Sequence, residues 1–342
     1  MPPERPLLTI AIPTYNRSRF LGELLGLLIP QLENEPSVEL LISDNASPDD
    51  TAEVVMRFCQ NNPRFRTLRN AENIGSDANF LQCFREARGR YVWLVGDDDI
   101  LVPGAIPQIV ELLRDREYDL VFVRPHGFSG RFNGRPIRDR FRRTAAVVRD
   151  TRLFADIAGI MLTFISAVIV NKQRFENISA PDPAKFIDTG LIQFGWTLPL
   201  LANCRLALIV FGGLVAGRSA NSGGYSLIGV FGVNLSAITS ELLAERQDLA
   251  RQIINNALRC WFPSTILSLR ENVAGDFLSD DYHAILRPLF AGNFRYLLLV
   301  YPVIKAPLWV ARLYVAFQRM FLLKAEAVVQ MARLTMISRE GR

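Results

Sequence analysis

Asp97, Asp98 and Asp99 follow directly on the apolar run Tyr91-Val92-Trp93-Leu94-Val95-Gly96. Three adjacent carboxylates repel one another, and an apolar strand offers nothing that offsets the repulsion. A cation does. Hard divalent ions such as Mg²⁺ and Mn²⁺ take carboxylate oxygens and share their shell with substrate phosphates. A solvated acidic turn is the other reading of the triplet alone. Two more polar clusters stand in comparable places: Pro13 to Arg17 after the run Leu7 to Ile12, and Asp44 to Ser47 after Val38 to Ser43.

The elements that must position these clusters alternate. Leu7 to Ile12 reads as a buried strand that stops at Pro13, and Phe20 to Leu32 as a helix with Ser18 near its N-cap. Val38 to Ser43 is a second strand, and Ser47-Pro48-Asp49-Asp50 opens a helix running to Phe58. Phe65 to Leu68, a helix over Asp77 to Arg88 and a fourth strand over Tyr91 to Val95 follow. Repeated strand–helix units predict an α/β fold with a parallel sheet, in which ligands bind beyond the carboxyl ends of the strands. All three clusters fall at that edge. Further on, Leu112 to Val123 reads as a helix end and a strand, Asp188 to Leu201 as a buried helix, Leu206 to Val215 as a strand and Leu235 to Leu269 as largely helical.

The 342 residues carry a formal charge of +5 with 49% hydrophobic and 21% charged residues, so the chain is globular and suited to an anionic partner. Net charge alone speaks for a nucleic acid, and no stacked-aromatic motif or recognition-helix signature supports one. Cys59, Cys83, Cys204 and Cys260 form no CxxC pair, and His126 and His283 are the two histidines, which argues for reduced thiols and against a zinc site. The N-terminal residues lack the features of a secretory signal, and no apolar run reaches the roughly 20 residues of a spanning helix. Arg131, Arg135, Arg138, Arg140, Arg142, Arg143 and Arg149 form a basic stretch that reads as a solvated loop or as a phosphate contact. Phe294 to Leu323 interleaves aromatics with Arg295, Lys305, Arg312, Arg319 and Lys324, with a helix from about Trp309. This pattern fits a membrane interface. A core helix or a dimer face is the alternative, which leaves an oligomer open.

The order and spacing of Ile12-Pro13-Thr14-Tyr15-Asn16-Arg17, Ser43-Asp44-Asn45-Ala46-Ser47, Asn73-Ile74-Gly75 and Gly96-Asp97-Asp98-Asp99 resemble the family 2 glycosyltransferases, inverting enzymes of GT-A fold. Asn73 to Phe80 and Thr189 to Gln193 look most like the abequosyltransferase-type enzymes of bacterial O-antigen assembly. The resemblance covers the first 125 or so residues well and the rest loosely. It implies a GT-A catalytic domain over 1–225, with a nucleotide half (1–125) and an acceptor half (126–225). A helical C-terminal region would follow over 226–342, with its amphipathic segment at about 294–335.

The resemblance also implies roles. Pro13, Tyr15, Asn16 and Asn73 would line the nucleotide, Asp44 would bond the base or ribose, and Asp97 would lie near the ribose. Asp98, with Asp99 beside it, would hold Mg²⁺ or Mn²⁺ on the diphosphate. Asp188 is the expected general base for the acceptor hydroxyl, with an ordinary N-cap as the other reading of that residue and Asp182 as the fallback base. Asn221 to Tyr225 reads as a lid or as a plain loop. Two departures stand out: Gly96 lies where the family's DxD motif often has an acid, and Asn79-Phe80 replaces a frequent Ala-Arg pair.

The expected activity is transfer of a sugar, such as a dideoxyhexose, from a nucleoside-diphosphate donor to a polyprenyl-diphosphate-linked glycan. Its expected place is the cytoplasmic face of the bacterial plasma membrane, as a peripheral protein. Alternatives are a sugar-phosphate nucleotidyltransferase, against which the absence of a Gly-rich phosphate loop after the first strand argues, and a non-catalytic nucleotide-sugar-binding subunit of a membrane complex.

Overall fold

The computed structural model describes residues 5–60, 62–132, 145–218, 224–272, 277 and 281–321. The first strands and helices are β1 (Leu8–Thr14), α1 (Ser18–Leu32), β2 (Val38–Asp44), α2 (Thr51–Cys59), β3 (Phe65–Arg69), α3 (Ser76–Glu86), β4 (Tyr91–Leu94), β5 (Ile100–Leu101), α4 (Ala105–Asp115) and β6 (Leu120–Val123). Then come β7 (His126–Phe128), β8 (Ala145–Val148), α5 (Thr151–Ala158), β9 (Val168–Asn171), α6 (Lys172–Phe175), α7 (Phe194–Ala202), β10 (Ala207–Val210) and β11 (Val215–Arg218).

Eight strands form one sheet in the order β3-β2-β1-β4-β9-β6-β10-β8. β1, β2, β3 and β4 run parallel, β6 runs parallel to β10, and β9 and β8 are antiparallel to their neighbours. β1 and β2 are buried along their whole length, which is why they read as continuous apolar runs. Leu8, Ile10 and Ile12 project to one face of β1 and share a core with Leu21, Leu24, Leu25, Leu28 and Leu32, the apolar stripe of α1.

β1 continues past Pro13 to Thr14, because parallel pairing with Ser43 and Asp44 holds it there. α1 starts at Ser18, whose side chain does not cap it. Instead Asp49 Oδ2 accepts from the Ser18 amide at 2.9 Å, and α2 begins only at Thr51. The run Leu206 to Val215 is not one strand. Gly212 (φ 100°) and Gly213 (φ 65°) turn the chain in the left-handed region that glycine tolerates, so β10 stays in the large sheet and β11 joins β5 and β7 in a three-stranded sheet. α7 begins at Phe194 instead of Asp188, because Asp188 (φ 66°) and Gly190 (φ 69°) break the helical path before it.

The chain divides into two compact units: residues 1–149 with 162–220, and residues 150–161 with 221–342. Residues 150–161 therefore leave the region in which the sequence analysis placed them. α8 (Leu235–Leu242) is followed by α9 (Gln247–Asn256), on which α5 packs: Arg152 pairs with Asp248 at 2.7 Å, and Asn256 bonds the Asp156 carbonyl at 3.0 Å. A helix spans residues 308–321 of this unit. Ala311, Val315 and Gln318 are buried on it, while Trp309, Leu313, Phe317 and Phe321 stand exposed at spacings of four. Among the described residues no helix is long and apolar enough to cross a membrane.

Candidate active site

The carboxyl ends of β1, β2 and β4 bring the acidic clusters to one edge. Arg17, just before α1, reaches both Asp97 (Nη1 to Oδ1, 3.3 Å) and Asp98 (Nη1 to Oδ2, 2.6 Å), and Thr14 Oγ1 donates to Asp97 Oδ2 at 2.7 Å. Burial pushes the Asp97 carboxyl up to about 6, against the pull of Arg17 and Thr14. Burial also works against the Arg17 charge, but Asp97 and Asp98 outweigh it and raise the guanidinium above its ordinary value. Asp98 is the most open member of the triplet, with its side chain 16% exposed.

Asp99 turns the other way. It is 3% exposed, Ser166 Oγ donates to its Oδ2, and the Arg218 amide donates to its Oδ1 at 3.2 Å. Burial pushes it up to about 7 in spite of those bonds. Both oxygens accept hydrogen bonds within the protein, whereas the resemblance implies that Asp99 lies beside Asp98 at the metal. Its orientation also accounts for Gly96: a Cβ there would lie 2.8 Å from Asp99 Oδ2 and 3.3 Å from Asp98 Oδ1. An inward Asp99 and a side chain at position 96 exclude each other.

Arg218, which the sequence analysis did not single out, clamps this turn. Its Nε donates to the Asp98 carbonyl at 3.0 Å, Nη2 pairs with Glu23 at 2.7 Å, and the guanidinium stacks over Phe20 and Phe128. It reaches the turn from β11, 120 positions along the chain, so no local pattern announces it.

Asp44 is 3% exposed. Its Oδ1 accepts from the Ser47 amide at 2.9 Å, whereas its buried Oδ2 accepts no hydrogen bond. Arg69 Nη1 lies 3.0 Å from that oxygen but is poorly aligned, an ion pair without a hydrogen bond. Ser47 Oγ accepts from Asn16, whose φ of 55° is tolerated by asparagine. Pro13 is buried in β1, and Tyr15 is 42% exposed at the same edge. Asn73 is drawn in through Asn45, whose side-chain amide donates to Asn73 Oδ1 at 2.8 Å and whose oxygen accepts from Asn70 and the Ile74 amide. Asn79 bonds Ser43 Oγ at 2.6 Å, tying α3 to β2.

α3 also reaches the loop of the expected base. Asp77 Oδ2 accepts from the Gly190 amide at 2.8 Å. Burial raises the Asp77 pKa, the amides of Gly190, Thr189 and Ile192 oppose the rise, and the nearby Asp188 charge adds to it. Asp188 is exposed in a left-handed conformation, and the N-cap of α7 is Gln193, so Asp188 is not a helix cap. Asp182 is a cap: it accepts from the Ala184 amide at 2.9 Å and pairs with Arg85. Arg135, Arg138, Arg140, Arg142 and Arg143 lie outside the described residues, as do Asn221, Ser222 and Gly223 of the expected lid.

Oxygen donors suit a hard cation, and Mg²⁺ sites use one or two carboxylates together with substrate phosphates. Asp98 beside Asp97 meets that description. Among the described residues no group of three acidic, histidine or cysteine side chains forms a ready cage.

Residues 9–173 match the family described as glycosyl transferase family 2. The chain is 38% identical over 116 residues to the abequosyltransferase RfbV of Salmonella typhimurium, a stretch that covers 33% of this chain and 34% of that one. It is 25% identical over 178 residues to the GalNAc(5)-diNAcBac-PP-undecaprenol beta-1,3-glucosyltransferase of Campylobacter jejuni, covering 50% of this chain and 55% of the relative. The fold is similar to S. aureus TarS 1-349 in complex with UDP, with a TM-score of 0.58 at 17% identity, covering 98% of this chain and 92% of that one. Residues 9–173 thus resemble glycosyltransferase family 2 and lie on a fold of the GT-A kind, and the chain spans about a third to a half of the length of these curated relatives.

Proposed function

We propose that this protein is an inverting glycosyltransferase that moves a sugar from a nucleoside-diphosphate donor to a polyprenyl-diphosphate-linked glycan. The observation that carries the reading is the convergence of Asp44, Asp97 and Asp98 on one strand edge, with Asp44 Oδ2 buried, hydrogen-bonded to nothing and met by an ion pair with Arg69. A carboxylate oxygen with an ion pair but no hydrogen bond keeps lone-pair capacity for a ring N–H or a hydroxyl. Tyr15 offers an exposed ring at the same edge, and Pro13, Asn16, Asn73 and, near the ribose, Asp97 would complete the nucleotide contacts.

Asp98 would hold Mg²⁺ or Mn²⁺ with Asp97 beside it, and the ion supplies Lewis-acid stabilisation to the diphosphate leaving group. Asp188 acts as the general base that removes the acceptor hydroxyl proton. Its left-handed backbone is a strained conformation of the kind that functional sites retain. Asp182, committed to capping and to Arg85, is the weaker choice.

A dideoxyhexose donor is favoured by the similarity to the abequosyltransferase, and a polyprenyl-linked acceptor by the name of the Campylobacter relative. The exposed stripe of Trp309, Leu313, Phe317 and Phe321 supports peripheral attachment at the cytoplasmic membrane face, where such an acceptor resides.

The test is donor binding with and without Asp98. Nucleoside-diphosphate sugars with Mn²⁺ are expected to raise the melting temperature by mass action. Asp98→Asn is expected to abolish the Mn²⁺-dependent part of that shift. Loss of several kcal/mol of charge stabilisation corresponds to a fall in turnover of about 100-fold or more. Turnover that survives Asp98→Asn sinks the reading.

A further inference from the structure

The opposite edge of the same sheet holds an open cleft of about 830 Å³ at the amino ends of β1 to β4. Six arginines line it: Arg5, Arg64, Arg66, Arg88, Arg90 and Arg114. Prolines and the aliphatic side chains of Leu7 and Val38 are also among its lining. Four of the six guanidiniums have structural work. Arg64 Nη1 donates to the Leu32 and Glu35 carbonyls past the end of α1, at 3.1 and 2.8 Å. Arg5 donates to the Arg88 and Gly89 carbonyls and reaches Glu176. Arg66 pairs with Glu39 and Glu86, each at 3.1 Å, and Arg114 with Ser37 and Glu35. Helix-terminal carbonyls carry partial charge only, so they orient a guanidinium without neutralising it.

Arg88 and Arg90 differ from these four. Both are exposed, and no side-chain hydrogen bond or ion pair holds either guanidinium among the described residues. Their backbones are fixed: the Arg88 amide donates to Glu39 at 3.0 Å, the Arg90 amide to the Pro6 carbonyl at 2.9 Å. Gly89 between them packs so tightly on β1 that a Cβ would lie 2.5 Å from the Thr9 nitrogen. The result is two free forks on a rigid base, in a cleft lined by six arginines and one carboxylate, Glu39, while Glu35, Glu86 and Glu176 pair with its arginines. Guanidinium forks match the oxygens of phosphate in paired hydrogen bonds.

We propose that this cleft binds a phosphate-bearing anion, at a site separate from the acidic edge and independent of the transferase reading. The phosphate comes from one of two sources, an anionic phospholipid headgroup or a soluble diphosphate.

The experiment compares the full chain with its Arg88→Gln/Arg90→Gln variant, whose lost side chains support no fold contact. Inorganic pyrophosphate is titrated by calorimetry. Co-sedimentation is measured with vesicles of phosphatidylglycerol and phosphatidylcholine and with vesicles of phosphatidylcholine alone. The variant is expected to bind pyrophosphate about tenfold more weakly, as loss of charged hydrogen bonds predicts. It is also expected to lose the component of vesicle binding that depends on phosphatidylglycerol. Loss in the pyrophosphate arm alone identifies a soluble source, and loss in the vesicle arm alone a headgroup. If the variant matches the full chain in both arms, the proposal is overturned. Arg90→Gln alone takes the same test if the double variant shows no melting transition. The Mn²⁺-dependent thermal shift by donors stays unchanged in either variant, which separates this outcome from failure of the transferase reading.

Discussion

The two edges of the large sheet are opposite in charge and in how that charge is held. At the carboxyl ends of the strands, Asp44, Asp97, Asp98 and Asp99 sit beside Arg17, Arg69 and Arg218, and nearly every carboxylate oxygen is spoken for. At the amino ends, arginines gather on helix C-terminal carbonyls and two guanidiniums are left over. Helix polarity explains part of this. In an α/β unit the helices run back along the strands, so their positive N-termini meet the carboxyl edge and their negative C-termini the amino edge. The remainder is specific. The acidic edge keeps a buried acceptor, Asp44 Oδ2, that has an ion pair with Arg69 but no hydrogen bond, and the basic edge leaves donors open, so the ligands proposed for the two edges differ.

The sharpest way to break this contrast is to remove chemistry from one edge and leave the fold alone. Asp188→Asn is expected to reduce transfer by about 10² to 10⁴, the range of general-base catalysis. Asp182→Asn, which removes only a cap and an exposed ion pair, should keep turnover within a few-fold, and steady-state rates on both variants decide between them. Arg90→Gln on the basic edge should leave transfer to a soluble acceptor untouched.

A second test addresses the balance within the acidic edge. Arg17→Gln leaves Asp97 and Asp98 without their counter-charge, and chemical denaturation should show a loss of about 2 kcal/mol. Saturating Mn²⁺ should recover part of that loss by binding the folded state. No recovery would mean that Arg17, and not a metal, is the resident cation. Gly96→Ala is smaller. The added methyl meets Asp99 Oδ2 at 2.8 Å, and denaturant midpoints should fall by about 1–3 kcal/mol.

The smallest effect concerns pH. Burial raises the Asp77 pKa, so the folded chain keeps that proton to higher pH than the unfolded chain. Between the two values Asp77 therefore lowers stability as pH rises. Asp77→Asn keeps an acceptor for the Gly190 amide and should flatten that slope in melting temperatures taken from pH 4 to 7. An unchanged slope would show that the carboxyl titrates normally.

Much of the acidic edge was legible because parallel, fully buried strands spell themselves as apolar runs and polar residues mark their ends. The positions of Thr14, Asp44 and Asp97 follow from that alone. What stayed hidden was non-local. β9 and β11 are four residues each, too short for a periodic signal, and β11 pairs with β5 more than a hundred residues earlier. The inward turn of Asp99 depends on Ser166 and on the Arg218 amide, neither of which stands near it in sequence. For the same reason the sequence paired Asp99 with Asp98, whereas the fold turns Asp99 inward and joins Asp98 to Asp97 through Arg17. Asp188 read as either a base or a cap, and the helix it was expected to cap begins instead at Phe194 with Gln193 as its N-cap.

The departure of residues 150–161 from the first unit has a practical meaning for anyone shortening this chain. The second unit is not an appendage joined at one point, because α5 enters it before the first unit is complete. Cutting after residue 220 would keep α5 and discard α9, stripping cover from Leu153, Phe154 and Ala155 and leaving Asp156 without Arg259 and Gln252. The two units are stitched by the covalent path itself, so a minimal catalytic fragment has to be made by excising and bridging 150–161 as well as by truncation.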